Sequence, residues 1–398
     1  MKSFEYNVYT HMYVGSDFYD QIPVELAKYG KNVLFIYGGG SIKRNGLYDK
    51  VISELGGFNV IELSGIEPNP RIEKVREGVE ICKTHNIDVL LPVGGGSTVD
   101  TAKAIAAGAK YDGDAWDFFS RGPEHKAVGD SLPIVDVLTL AATGTEMNRN
   151  AVVSNLGTQE KYGLGGETLL PKASFLDPVN TFTVSKYQTA AGSADILSHL
   201  MENFFKRTTG ADVQDFVNIA LQKAVIKNAY IALVTPEDYD ARANLLWASS
   251  LALGGIPAGG KPGAWTCHAI EHELSAFYDI THGVGLAIIT PRFLNHIIKK
   301  DKTATAKIAE YARGVFDINE ADDTLAALKG IQLQYETFKK WGIPMTLQEV
   351  GIDGKKLREM SEHAVKHGNL EHGDSFVSLT ADDVEAILVD SLTESEFH

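Results

Sequence analysis

Short apolar runs alternate with helix-period stretches over roughly the first 180 residues. The runs Asn32–Tyr37, Phe58–Leu63, Asp88–Val93 and Pro133–Leu138 read as strands. Between them, residues 71–85 carry Ile72, Val75, Val79 and Cys82 at helical spacing, and a second helix is expected from the end of Gly94-Gly95-Gly96-Ser97 through Ala109. Strands alternating with helices predict βαβ units and a mostly parallel sheet. After about Pro178 the period becomes helical: residues 184–206, 213–233, 237–253, 262–278, 303–314, 320–341, 354–368 and 381–393 all read as helices. The expected architecture is an α/β domain over residues 1–180, with a parallel Rossmann-like sheet, followed by an all-α domain over 181–398. The opening segment Phe4–Val14 alternates through Phe4, Tyr6 and Val8 and predicts a β-ribbon available as an edge strand.

Composition narrows the partners. With 37 Lys+Arg against 52 Asp+Glu the chain of 398 residues carries a net charge of −15, which disfavours nucleic acid and anionic membrane as partners. No apolar run reaches the ~18–20 residues of a membrane span, and the opening residues lack the apolar core of a secretory signal. The two cysteines, Cys82 and Cys267, exclude a disulfide scaffold and suit a reducing compartment, so a cytoplasmic location is expected.

Two glycine clusters change the picture further. Gly38-Gly39-Gly40-Ser41 and Gly94-Gly95-Gly96-Ser97 each follow a predicted strand. Glycine there lets the backbone approach a ligand, and the amides opening the next helix can cradle a phosphate. Two such turns suggest a nucleotide or dinucleotide. Neither completes G-x-G-x-x-G, because Lys43 and Val99 stand at the last position, so plain structural turns stay open as the alternative. Glu62, at the end of the second strand, sits roughly the ~20 residues past the first turn where a ribose-binding acid is placed, or is simply a solvated strand end.

The histidines supply a second chemistry. His268, His272, His282 and His296 fall within a short stretch, and Asp195 with His199 form an i,i+4 pair on a predicted helix. Imidazole and carboxylate suit zinc or ferrous iron, and two ligands from each region would close a site between helices. An ordinary helix pair is the alternative for Asp195 and His199. His268-Ala-Ile-Glu271-His272 also matches H-x-x-E-H, which would make a zinc peptidase with Glu271 as base. The two glycine turns have no use in a peptidase.

Taken together, these motifs resemble the iron-activated (group III) alcohol dehydrogenases, in the branch of butanol dehydrogenases and broad-range NADPH-dependent aldehyde reductases. The resemblance runs over essentially the whole chain. It is carried by Gly94 through Asp100 with Lys103, Leu138 through Asn148, Leu176-Asp177-Pro178, Gly192-Ser193-Ala194-Asp195 with His199, and His268 through Gly283. It implies a dehydroquinate synthase-like architecture, with a dinucleotide-binding N-terminal domain, a helical C-terminal domain and a metal in the cleft. By position, Asp195, His199, His268 and His282 would be the metal ligands, Fe2+ before Zn2+, and His272 a proton relay near the nicotinamide. Gly95, Gly96 and Ser97 would hold the pyrophosphate, and Asn69, Asp100, Thr139, Thr143, Asn150 and Lys161 would line the cofactor cleft. Some relatives carry an aspartate where Gly39 stands. Its loss, with Gly40, Ser41 and Lys43 nearby, favours NADP(H) over NAD(H). The implied reaction is reversible hydride transfer between a small primary alcohol, or its aldehyde, and the nicotinamide, in a homodimer. A nucleotide-binding regulator without catalysis is disfavoured because all four ligand positions are kept.

Overall fold

The computed structural model describes residues 1–119, 125–372 and 375–397. The chain forms two compact units, one of Asn7–Val184 with Thr235–Gly254 and one of Met1–Tyr6, Ser185–Val234 and Gly255–His398.

The first unit is built on β1 (His11–Val14), β2 (Asn32–Tyr37), β3 (Asn59–Leu63), β4 (Val89–Gly94), β5 (Val135–Leu138) and β8 (Ala173–Leu176), with a hairpin of β6 (Asn150–Asn155) and β7 (Glu160–Gly165) beside them. The six strands form one parallel sheet in the order β1-β8-β5-β4-β2-β3. Their near-continuous apolar runs follow from burial on both faces. In β2, Val33, Phe35 and Tyr37 enter one core with Leu26, Leu47 and Val51, while Leu34 and Ile36 enter the other with Val75, Cys82 and Ile105. That is the two-residue period of a strand read on both sides. Each such side chain contributes roughly 1.5–3 kcal/mol on burial.

Several features depart from the sequence expectation. The opening ribbon shrinks to β1, which pairs only with β8 at the sheet edge. Residues 1–6 instead run along the turn at 255–260: the Lys2 amide donates to the Gly260 carbonyl (3.0 Å), and the Phe4 ring packs so close that a Cβ on Gly259 would meet it at 2.7 Å. The helix Tyr239–Leu253, expected within the helical domain, belongs to the α/β unit. Its Ser250 hydroxyl bonds the buried Glu146 carboxylate, and Ser249 accepts from the Gly144 amide (3.1 Å). The hairpin β6–β7 and strand β8 were not anticipated.

The second unit is helical. Its helices Lys186–Phe204, Asp212–Val234, Thr266–Tyr278, Lys302–Phe316, Asp323–Lys340, Leu357–Gly368 and Ala381–Asp390 follow the expected periods. An eighth, His282–Lys300, was missed. Pro291 inside it breaks the sequence signal, although its missing amide costs the buried helix only one bond. No helix among the described residues is long and apolar enough to cross a membrane.

Candidate functional site

Two sets of site residues take shape, one in each unit. In the α/β unit β2 and β4 are hydrogen-bonded neighbours, with Tyr37 opposite Val93. Both glycine turns therefore leave the carboxyl ends of adjacent parallel strands. They do so where the order reverses: β3 lies on one side of β2, and the chain then crosses to place β4 on the other. Ligands of open α/β sheets bind at that point. Gly95 caps the helix Gly96–Ala109, whose first amides open at the end of β4. A Cβ on Gly96 would collide with Thr143 and one on Gly94 with Thr98, so close packing is what demands glycine at both positions. Thr139 closes the turn by donating its amide to the Gly94 carbonyl (2.9 Å). The first turn enters a single helical turn, Ser41–Arg44, from Gly40 in the left-handed region (φ 95°). Gly39 is exposed, and a Cβ there would meet nothing within 4 Å.

The remaining cofactor candidates form a braced network. Lys161 Nζ donates to Asn69 Oδ1 (3.2 Å), and Asn69 is held in the left-handed region (φ 54°). Asp100 accepts from the Thr145 hydroxyl (2.6 Å) and the Val152 amide (2.9 Å), so it ties the helix 96–109 to the following loop and to β6. Lys103, fully buried, is the centre of this region. Its ammonium donates to the carbonyls of Thr145, Asn148 and Asn150 (2.7, 2.9 and 2.8 Å), to the Thr145 hydroxyl (2.9 Å) and to Asn148 Oδ1 (3.1 Å). Burial pulls its pKa down to about 8 against the opposing pull of Asp100, Asp136 and Glu146. Lys103 was visible in the sequence only as part of a motif. Glu62 is no free strand end: the Tyr37 and Tyr48 hydroxyls donate to it (2.7 and 2.6 Å), and Lys43 lies 3.9 Å away.

In the helical unit, Asp195 Oδ1 faces three imidazole Nε2 atoms, at 3.3 Å from His199, 3.9 Å from His268 and 3.7 Å from His282. One ligand atom each from Asp195, His268 and His282 lies within 4.8 Å of the others, and the His199 ring stacks on His268 at 4.9 Å. Tetrahedral ligands with bonds of ~2.0–2.2 Å stand about 3.4 Å apart, close to these separations. Asp195 Oδ1 and His268 Nε2 are buried and make no hydrogen bond. Such orphaned atoms are costly unless something else meets them, and a divalent cation meets all of them. Burial also pulls the His199 pKa down to about 4, which keeps the ring in the neutral form a metal requires.

Two carboxylates that the sequence did not single out for this task hold His268 and His282. Glu202 accepts from the His268 amide (3.0 Å) and the Thr266 amide (3.1 Å), and lies 3.4 Å from His268 Nδ1. Burial pushes its carboxyl up, but the His268 contacts and the Lys206 charge outweigh that and leave it below the ordinary value. Glu271, fully buried, accepts from His282 Nδ1 and from the Ser275 hydroxyl. A carboxylate on Nδ1 fixes the proton there and turns the Nε2 lone pair toward Asp195. The only sign in the sequence is that Glu202 lies seven residues past Asp195 on the same helix.

The peptidase reading does not survive this geometry. Glu271 is sealed against His282 and Ser275, so it cannot act as a base on water. Glu271, His272 and His282 do cluster, but Glu271 takes Nδ1 of His282, not the nitrogen that faces Asp195. His272 is partly exposed, with its ring 6.3 Å from that of His268 and 5.6 Å from that of His282. His296 lies outside the cluster and pairs with Asp383 (3.0 Å).

Comparison with known families places the whole chain. Residues 10–178 match the model of the iron-containing alcohol dehydrogenases, and residues 189–392 match the C-terminal model of the same family. The chain belongs to the iron-containing alcohol dehydrogenase family. It is an enzyme of the alcohol dehydrogenase and aldehyde reductase class. It is 47% identical over 387 residues to NADH-dependent butanol dehydrogenase A of Clostridium acetobutylicum, covering 96% of this chain and 98% of that one. It is 35% identical over 358 residues to the NADPH-dependent aldehyde reductase YqhD of Escherichia coli, covering 89% and 90%. The crystal structure of NADH-dependent butanol dehydrogenase A from Thermotoga maritima superposes with a TM-score of 0.92 at 38% identity over 99% of both chains. The family's architecture, an α/β N-terminal domain and a helical C-terminal domain, is the one expected from the sequence.

Proposed function

We propose that this protein catalyses reversible hydride transfer between a small primary alcohol of the butanol type and NAD(P), with Asp195, His199, His268 and His282 as ligands of one divalent ion. The observation that carries this reading is the convergence of three Nε2 atoms on Asp195 Oδ1, with two buried ligand atoms left without hydrogen bonds. Three neutral imidazoles and one carboxylate suit Fe2+ and Zn2+ alike, and the family favours Fe2+. When bound, the ion supplies Lewis-acid polarisation of the substrate oxygen.

The chain's own residues do the rest. Glu202 and Glu271 hold the protons of His268 and His282 on Nδ1. His272, partly exposed beside the ligand rings, carries the proton between the substrate oxygen and solvent, a task suited to a side chain that can both accept and donate a proton. Gly95, Gly96 and Ser97 receive the pyrophosphate at the helix N-terminus, and Thr139, Thr143, Asn69, Asn150 and Lys161 line the rest of the cofactor site. Asp100 serves that site as a brace, since both its oxygens are engaged within the protein.

For the adenosine end we propose that both cofactors are accepted and NADP(H) is favoured. Gly39 leaves room for a 2′-phosphate, and Gly40, Ser41 and Lys43 can donate to it. Glu62 beside Lys43 offsets part of that charge and keeps the preference modest. The names of the relatives divide between NADH and NADPH. We further propose a cytoplasmic homodimer, with β1 at the sheet edge as a pairing surface and with both cysteines free and buried. The test is butanal reduction by the iron-loaded protein with NADPH and with NADH. Both should support turnover, with the higher kcat/KM for NADPH. No aldehyde-dependent oxidation of either cofactor would overturn the reading.

A further inference from the structure

A second group of ligand-type side chains lies in the helical unit, on a different face of the helix that carries His268 and His272. Glu273 leaves that helix about 100° round from His272, because each residue turns an α-helix by roughly 100°. His363 and His367 are an i,i+4 pair on the helix Leu357–Gly368, so their rings leave one face together. His363 Nδ1 lies 3.4 Å from Glu273 Oε2, and His367 Nδ1 lies 3.1 Å from Glu273 Oε1. One ligand atom from each residue lies within 4.8 Å of the other two, and the two rings are 5.4 Å apart.

We propose that Glu273, His363 and His367 form a second site for a divalent transition-metal ion of the zinc, nickel or cobalt type, separate from the Asp195 centre. Three observations carry it. The donor set of two imidazoles and one carboxylate is borderline in softness and suits those ions more than magnesium or calcium. Each ring nitrogen sits on its own Glu273 oxygen, His367 as a hydrogen-bond partner, and these separations are close to the ~3.4 Å between ligands of an ion with bonds of ~2.0–2.2 Å, so the carboxylate can meet an ion between the two rings with one oxygen or both. The burial is graded: the Glu273 side chain is 8% exposed, that of His367 21% and that of His363 42%. The carboxylate is thus anchored in the protein while one side of the site faces solvent, which leaves water to complete the coordination. One carboxylate against a divalent ion leaves a net positive charge and costs the buried oxygens nothing in unpaired charge. A bound ion would clamp the helix 357–368 to the helix 266–278.

The test uses the full-length protein loaded first with one equivalent of iron. It is dialysed against low-micromolar ZnCl2, and iron and zinc are counted separately by elemental analysis. Wild type should keep its iron and take up one further equivalent of zinc. The His363→Ala/His367→Ala variant should keep its iron and bind that zinc at least tenfold more weakly. The milder His363→Gln, at the most exposed position, should weaken it in the same direction while leaving the Glu273–His367 contact. Cobalt in place of zinc should give ligand-field absorption in wild type that is absent from the double variant. Zinc uptake equal in wild type and double variant, or zinc appearing only as iron is lost, would overturn the proposal. Because iron is counted in every sample, failure of the Asp195 centre reads out separately from failure of this one.

Discussion

Replacing Glu271 by Gln separates the two chemistries that its motif allows. The carboxylate is fully buried, with one oxygen on His282 Nδ1 and the other on the Ser275 hydroxyl. Gln keeps the shape. Its amide can donate to Ser275, whose hydroxyl is then free to turn toward the Ile280 carbonyl, 3.4 Å away. The fold should therefore hold. What is lost is charge: a bond to an ionised acceptor, worth about 1.5–3 kcal/mol, becomes a neutral one worth about 0.5–1.5. The difference of roughly 1–2 kcal/mol is lost from the state with the Nε2 lone pair aimed at Asp195, and it corresponds to about 5- to 30-fold in metal affinity. The assay is competition with a chromophoric chelator for Fe2+ or Zn2+, followed by butanal reduction at saturating metal. The expected result is a weaker metal Kd and a kcat within a few-fold of wild type once the site is filled. An unchanged metal Kd with kcat reduced about 1000-fold or more would mean that Glu271 acts on the substrate, and would refute its role as the partner of His282.

Three further outcomes follow from the same geometry. His268→Ala should lose both metal and turnover, whereas His272→Ala should keep the metal and lose about 10²–10⁴ in kcat; elemental analysis and steady-state rates on the same samples check both, and the reverse pattern would move the ligand assignment to His272. Gly39→Asp meets no steric obstacle, and a carboxylate near a 2′-phosphate at that exposed site should lower the NADPH/NADH ratio of kcat/KM about tenfold or more; an unchanged ratio would remove the loop from cofactor choice. Asp136 is fully buried, and burial lifts its pKa to about 8 although Ser174 donates to it (2.7 Å). The native state then holds a proton that the unfolded state releases above ~3.9, so the stability from this group is complete below about pH 4 and is lost as pH rises to about 8. Asp136→Asn should flatten that decline, by at most about 1.4 kcal/mol per pH unit, in urea unfolding across pH 5–9; parallel profiles would refute it.

Much of this was legible because the relevant signals are local. Val33–Tyr37 and Val89–Val93 are buried on both faces, so their apolar runs mark strands without knowledge of their neighbours. The glycines after them, and the Asp195–His199 pair on one helical turn, are likewise short-range patterns. What escaped depends on long-range packing. β8 is four residues long, and nothing in Ala-Ser-Phe-Leu marks it until β5 and β1 pair on either side. The helix that presents His282 at its first position was hidden by Pro291. Glu202 looks like an ordinary helical glutamate and Glu271 like the base of a peptidase motif, and only the fold reveals that each closes on a histidine Nδ1. The helix Tyr239–Leu253 has helical neighbours on both sides in sequence, yet Ser249 and Ser250 bind the loop after β5. No periodicity encodes that choice.

The central claim is that the Asp195, His199, His268 and His282 centre drives alcohol and aldehyde chemistry with a nicotinamide cofactor. The most direct measurement is a titration of metal-stripped protein with Fe2+ under anaerobic conditions, following NADPH-dependent reduction of butanal. Activity should be absent without metal and rise linearly. It should saturate at one equivalent per chain in wild type and stay at zero throughout in Asp195→Ala. Full activity in the stripped protein, or recovery of the Asp195→Ala variant at the same stoichiometry, would contradict the account.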